Sequence, residues 1–205
     1  MRNLVWMLIM TVTAAGAQTK MSAAEADQFK VVVRARAAET QTITSDFVQY
    51  QHIEFITEDI ESSGKMAFKS PNMVKWEYLQ PDPYSILFKN EKLYTNQNGK
   101  KSAMDMGSNK IFKQLNQLIT ASIKGDMFDA KEFTISYLKT EGNSEVHFIP
   151  VDAQFAEFIK AIHLTFNAKG EVMQVKMIEA SEDYTMIVFS NRKTNQTLSD
   201  EVFAQ

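Results

Sequence analysis

Cysteine is absent from the 205 residues. That removes disulfide frameworks, thiolate zinc sites, thiol nucleophiles and cysteine-ligated iron–sulfur clusters. It also removes the acylated cysteine on which a lipid-anchored exported protein depends. Blocks of like charge are missing, and a formal net charge of −3 with a pI near 5.7 offers no footprint for nucleic acid or anionic lipid. No apolar run reaches the ~20 residues that cross a bilayer. Catalytic motifs are missing as well: there is no Gly-x-Ser-x-Gly elbow and no Gly-x-Gly-x-x-Gly after a strand. Gly99-Lys100-Lys101-Ser102 lacks the first glycine of a phosphate loop, because Tyr94 stands at that position. His52, His147 and His163 lie well apart in the sequence, with no partner at the spacing that puts two ligands on one helix face. They read as strand residues, and neither a metal nor a cofactor is expected. Asp59, Glu61, Asp82, Asp126, Asp129 and Asp183 follow no local acid–base pattern, so no enzyme is expected either.

What is present begins at the N-terminus. Arg2 precedes an apolar stretch from Leu4 to Val12, and Ala15-Gly16-Ala17 has the small-x-small form of a cleavage site. Residues 1–17 therefore read as a secretory signal peptide, and residues 18–205 as a single soluble, monomeric domain. Ser22-Ala23-Ala24-Glu25 fits a capping box at the start of an amphipathic helix running to about Thr40, with Ala26, Phe29, Val33 and Ala37 on one face.

From Phe47 the apolar period changes to two. Met66 with Phe68, then Val74, Trp76 and Tyr78, then Ile86 and Phe88 alternate with polar residues. The punctuation at Ser62-Ser63-Gly64, Ser70-Pro71-Asn72, Pro81-Asp82-Pro83 and Asn98-Gly99 is too short to house crossover helices, so the sheet should be antiparallel. Ser108 to Lys124 has helical spacing at Ile111, Leu115, Leu118 and Ile119, with Gly125 as a stop. A helical turn is expected within Asp152 to Phe158, followed by strands around residues 162–166, 173–177 and 184–188. The expected fold is mainly β (α+β): a curved antiparallel sheet of about 9–11 strands with two or three helices across its concave face. Nine of the 12 methionines lie beyond residue 17, several in strands, and this adaptable apolar surface points to a pocket.

Phe47-Val48-Gln49, then Gly64 to Pro71, then Trp76-Glu77-Tyr78-Leu79-Gln80-Pro81 resemble the LolA family of lipoprotein carriers. Ser85-Ile86-Leu87-Phe88 and Leu93-Tyr94 fit its next hairpin, and Val202-Phe203 its last strand. The resemblance implies an incomplete antiparallel β-barrel whose hydrophobic cavity, lidded by helices, holds acyl chains in the periplasm. It implies as partners acylated lipoproteins, an inner-membrane ABC transporter as donor and an outer-membrane acceptor. On this resemblance Met66, Phe68, Val74, Trp76, Tyr78, Ile86 and Phe88 would line the concave sheet, and Phe29, Leu115, Leu118 and Ile119 would face them from the lid. Ser70 stands where the family commonly has an arginine that bonds the lid, and Asn90-Glu91 replaces the usual Asp-Gly turn. A lipid sensor, another acyl-lipid-binding protein or a lipid-modifying enzyme on the same scaffold are the alternatives.

Overall fold

A computed structural model describes residues 18–105, 121, 125–127 and 131–204. The signal peptide read at residues 1–17 and most of the helix read at residues 108–124, with Leu115, Leu118 and Ile119, lie outside the described residues. In chain order the strands are β1 (Thr19–Lys20), β2 (Thr42–His52), β3 (Ile60–Lys69), β4 (Met73–Gln80), β5 (Tyr84–Lys89), β6 (Lys92–Gln97) and β7 (Lys100–Asp105). They continue as β8 (Phe133–Thr140), β9 (Asn143–Pro150), β10 (Ile159–Phe166), β11 (Val172–Glu179) and β12 (Tyr184–Thr194). Helix α1 spans Ala23–Glu39.

All twelve strands join one antiparallel sheet in the order β1-β8-β9-β10-β11-β12-β2-β3-β4-β5-β6-β7, which is open, with β1 and β7 at its ends. The count exceeds the expected nine to eleven by one. β1, two residues paired with Leu138 and Lys139, is too short to show a period. Within β2–β7, β8–β9 and β10–β12 consecutive strands are joined as hairpins, such as that at Asn98-Gly99, whose φ angles of 52° and 82° suit a type I′ turn. The β12–β2 seam, with Phe189 opposite Phe47, joins the C-terminal run β8–β12 to the earlier run β2–β7.

α1 begins as its sequence dictates. The Ser22 side chain accepts from the Glu25 N–H and the Glu25 carboxylate accepts from the Ser22 N–H, closing the capping box. Hydrogen bonds from Lys139 and from Ser22 pull the Glu25 carboxyl down to about 2, and so bind the start of α1 to β8. Ala26, Phe29 and Val33 are buried on its inner face. The expected helical turn is there at Ala153–Ala156, capped by Asp152, and it buries Phe155.

One expectation is overturned. Val202 and Phe203 form no last strand but a 3-10 turn, Asp200–Phe203, capped by the Ser199 hydroxyl and tied to β3 by a Lys69–Asp200 ion pair of 2.6 Å. Phe203, only 1% exposed, closes over Ala67 and Leu87 on the outer face of the sheet. Leu87 faces out, as the strand alternation requires.

Candidate functional site

The inner face of the sheet carries two clusters. Under α1, the run β8–β12 packs phenylalanines edge to face: Phe29 lies 5.2 Å from Phe166 at 78°, and Phe133 meets both Phe148 and Phe155. In the run β2–β5, the Phe47 ring stands edge-on to Trp76 and Tyr78, 5.0 Å from each. Phe47 sits opposite Gly64 in register, and a Cβ on Gly64 would come within 2.9 Å of the Phe47 ring and closer still to the Glu77 carbonyl, so only glycine fits. The Tyr78 hydroxyl donates to Gln49 Oε1 at 2.8 Å, and burial pushes that phenol up. The Phe-x-Gln, glycine and Trp-x-Tyr signals are therefore parts of one packed unit.

Between the clusters lies a cavity of about 190 Å³. Its floor is Ile43, Met66, Val74, Trp76, Ile162, Leu164, Val172, Val175, Met177, Ile187 and Phe189, and its roof is Val33, Arg36, Ala37 and Thr40 of α1. Val172 and Val175 pack against both clusters, which makes the inner face continuous. The roof sits close: Gly170 takes φ +74°, and a Cβ there would lie 3.1 Å from Val33 Cα.

A charged group closes one side. Arg36 of α1 pairs with Glu171 in the β10–β11 turn through Nη2 and, at 2.9 Å, through Nε. Asn167 Nδ2 donates to the other Glu171 oxygen at 3.0 Å. Burial pushes the Glu171 carboxyl up, but Asn167 and the two arginines outweigh it and hold it below its ordinary range.

The second arginine arrives through a β-bulge. Between Ser190 and Lys193, β12 spends one more residue than β2. Asn191, at φ 52°, stays on the outer face, where its Nδ2 donates to Asp46 Oδ2 at 2.8 Å. Arg192 is thereby turned inward into the cavity wall. Its Nε is buried, 4.0 Å from Glu171, with no hydrogen-bond partner among the described residues. Burial and the neighbouring Arg36 lower its pKa, against the pull of Glu171.

The structure brings Met66, Val74 and Trp76 into the cavity wall. Phe68, Tyr78, Ile86 and Phe88 belong to the ring cluster that flanks it. Phe29 stands away from the wall, locked against Phe166 and Tyr137. Ser70 meets the exit of α1 through its backbone, its N–H donating to the Gln41 carbonyl at 2.8 Å. Sequence reasoning missed Arg36, Glu171 and Arg192, for which the only local signal is a charged residue out of phase after Phe189. Methionine was a poor guide: Met66 and Met177 line the cavity, whereas Met73 packs on the outer face and Met104 and Met173 are exposed.

Two of the histidines read as unrelated meet across the β9–β10 ladder. His147 and His163 are paired in register, their rings stacked 3.5 Å apart at 9°. Glu145 Oε1 lies 2.6 Å from His147 Nε2 and 3.5 Å from His163 Nδ1. Near-parallel rings aim their in-plane lone pairs in parallel, so both cannot address one ion without a ring turning. His147 is hydrogen-bonded to Glu145, and His163 is stacked on His147. Burial and the adjacent His147 push His163 down to about 4.

The model of the family of outer membrane lipoprotein carrier proteins, LolA, matches residues 38–205. An outer-membrane lipoprotein carrier protein of Pseudomonas paraeruginosa is 25% identical over 199 residues, covering 96% of this chain and 93% of that protein. Of the solved structures, MucB aligns with a TM-score of 0.51 at 10% identity, over 90% of this chain and 64% of its own. A DUF1329 family protein from Desulfovibrio piger aligns with a TM-score of 0.50 at 12% identity, over 87% and 96%. Identities this low bear on the fold alone. The family match takes in eleven of the twelve strands, and the chain belongs to the LolA family of outer membrane lipoprotein carrier proteins.

Proposed function

We propose that this protein is a periplasmic carrier, exported by the signal peptide at residues 1–17, that shields the acyl chains of lipoproteins and moves them from the inner to the outer membrane. Family membership gives the coarser statement: a carrier fold that binds lipoproteins rather than transforming them. The observation that carries the finer one is the apolar cavity between α1 and the concave sheet. Each buried CH₂ contributes about 0.8 kcal/mol, so a chain of about 16 carbons does not cross water unshielded. Met66, Val74, Trp76, Val175, Met177 and Ile187 are the surface it would meet.

The cavity as it stands suits the closed, unloaded state. At about 190 Å³ it is little larger than the ~150 Å³ apolar cavity that admits benzene. A full acyl chain needs α1 to lift, and the Arg36–Glu171 pair at its C-terminal half is the contact to be released. An inner-membrane ABC transporter as donor and an outer-membrane acceptor would set the direction.

The test is displacement of an environment-sensitive apolar dye by a triacylated lipopeptide, followed by transfer of the lipopeptide from inner- to outer-membrane vesicles. Binding with transfer is expected. Well-folded protein that takes up neither dye nor lipopeptide would overturn the reading, and binding without transfer would favour a lipid sensor on the same scaffold.

A further inference from the structure

The acyl reading accounts for the apolar wall of the cavity and leaves Arg192 unexplained. A β-bulge with a left-handed Asn191 turns this side chain inward, to a lining whose other polar residues are Arg36, Thr40 and Thr185. The Arg192 Nε has no acceptor among the described residues, and the nearest carboxylate, Glu171 at 4.0 Å, already serves Arg36 and Asn167. Two guanidinium groups thus face one carboxylate at the edge of a low-dielectric space, leaving one positive charge in excess. A buried donor without a partner is costly, and more so when charged. Arginine offers a planar fork matched to carboxylate and phosphate oxygens.

We propose that the cavity binds a long-chain amphiphile with an anionic head, a carboxylate or a phosphate monoester, whose oxygens pair with the Arg192 guanidinium and balance its charge while the chain runs along Phe189, Ile187 and Trp76. This rests on the acyl-chain reading of the cavity and adds a second ligand class to it. The triacylated terminus of a lipoprotein bears no anionic group where its acyl chains begin, so the cavity would distinguish a fatty acid or alkyl phosphate from that cargo.

The test is displacement of an apolar dye from the full chain by laurate, dodecyl phosphate, dodecanol and a triacylated lipopeptide, with the wild type and with Arg192→Met and Arg192→Lys. Wild-type protein should prefer laurate or dodecyl phosphate to dodecanol by at least about tenfold, the scale of one charge-assisted hydrogen bond. The preferred one of the two identifies the head. Arg192→Met should bring the three ligands within about threefold of one another, and Arg192→Lys should keep part of the gap because the charge stays while the fork is lost. Equal wild-type affinity for dodecanol and the two anions overturns the inference, and needs no variant to fold. A gap that survives Arg192→Met in folded protein overturns it too. In either case lipopeptide binding would leave the carrier reading standing, whereas failure of all four ligands would remove both.

Discussion

The two halves of the sheet bury their inner faces by different means. In β8–β12 the helix lies directly on the strands, and Phe148, Phe166 and Val146 are sealed to 0% exposure. In β2–β5 rings cover one another, and Trp76 and Met66 have a cavity on one side. The first is a packed core around Phe133, Phe148, Phe155 and Phe166, although Ile162, Leu164, Val175, Met177 and Ile187 of the same run border the cavity. The second is a wall. A side chain that borders empty space forfeits dispersion contacts on that side, so the same sheet divides into a part that holds the fold and a part that leaves room for a guest.

The largest expected effect tests that division directly. Phe148→Ala should cost about 3–5 kcal/mol of stability, as for other deeply buried phenylalanines, measured as a fall in the urea midpoint, with dye affinity per folded molecule little changed. Trp76→Ala should cost clearly less stability but weaken dye binding more. Equal stability losses, with dye binding untouched by Trp76→Ala, would erase the distinction between core and wall.

Next is the seat of the helix. Gly170→Ala places a Cβ 3.1 Å from Val33 Cα at a positive φ that costs a non-glycine residue roughly 1–2 kcal/mol. Hydrogen exchange should speed up along α1 while the amides of β9 and β10 stay protected. Uniform loss of protection would mean that helix and core form one cooperative unit.

The smallest effect is confined to the packed half. His163 is held at about 4 against an ordinary 6.5 by burial and by His147. The unfolded chain therefore binds more protons than the folded one between those values, and stability should fall as pH drops from about 6.5 to 4. His163→Asn should flatten that part of a melting-temperature profile. An unchanged slope would show that other groups govern it.

Legibility in the sequence divides along a different line. α1 was readable to within a residue or two because Ser22 and Glu25 satisfy its first amides locally. The hairpin at Asn98-Gly99 was readable because few pairs accept two positive φ angles. The resemblance rested on Phe47, Gly64 and Trp76, which can be recognised because a ring crossing a glycine tolerates little else. Contacts set by register were hidden. Arg36 and Glu171 lie 135 residues apart, and His147 meets His163 only through the β9–β10 ladder. Phe203 was misread because the resemblance carried a last strand over to Val202-Phe203, where the Ser199 cap and the Lys69–Asp200 pair instead hold a 3-10 turn.

The bulge in β12 also bears on how this strand tolerates insertions and deletions. Up to Phe189, alternate side chains face inward; Ser190 and Asn191 then both face out, and Arg192 returns inward. Removing either Ser190 or Asn191 would leave a regular strand with the same set of residues facing the cavity. Removing one residue between Thr185 and Phe189 would instead invert the facing of everything on one side of the gap. A one-residue length difference at 190–191 is therefore the change in this strand that keeps the interior intact, and related chains that differ in length within it should differ there.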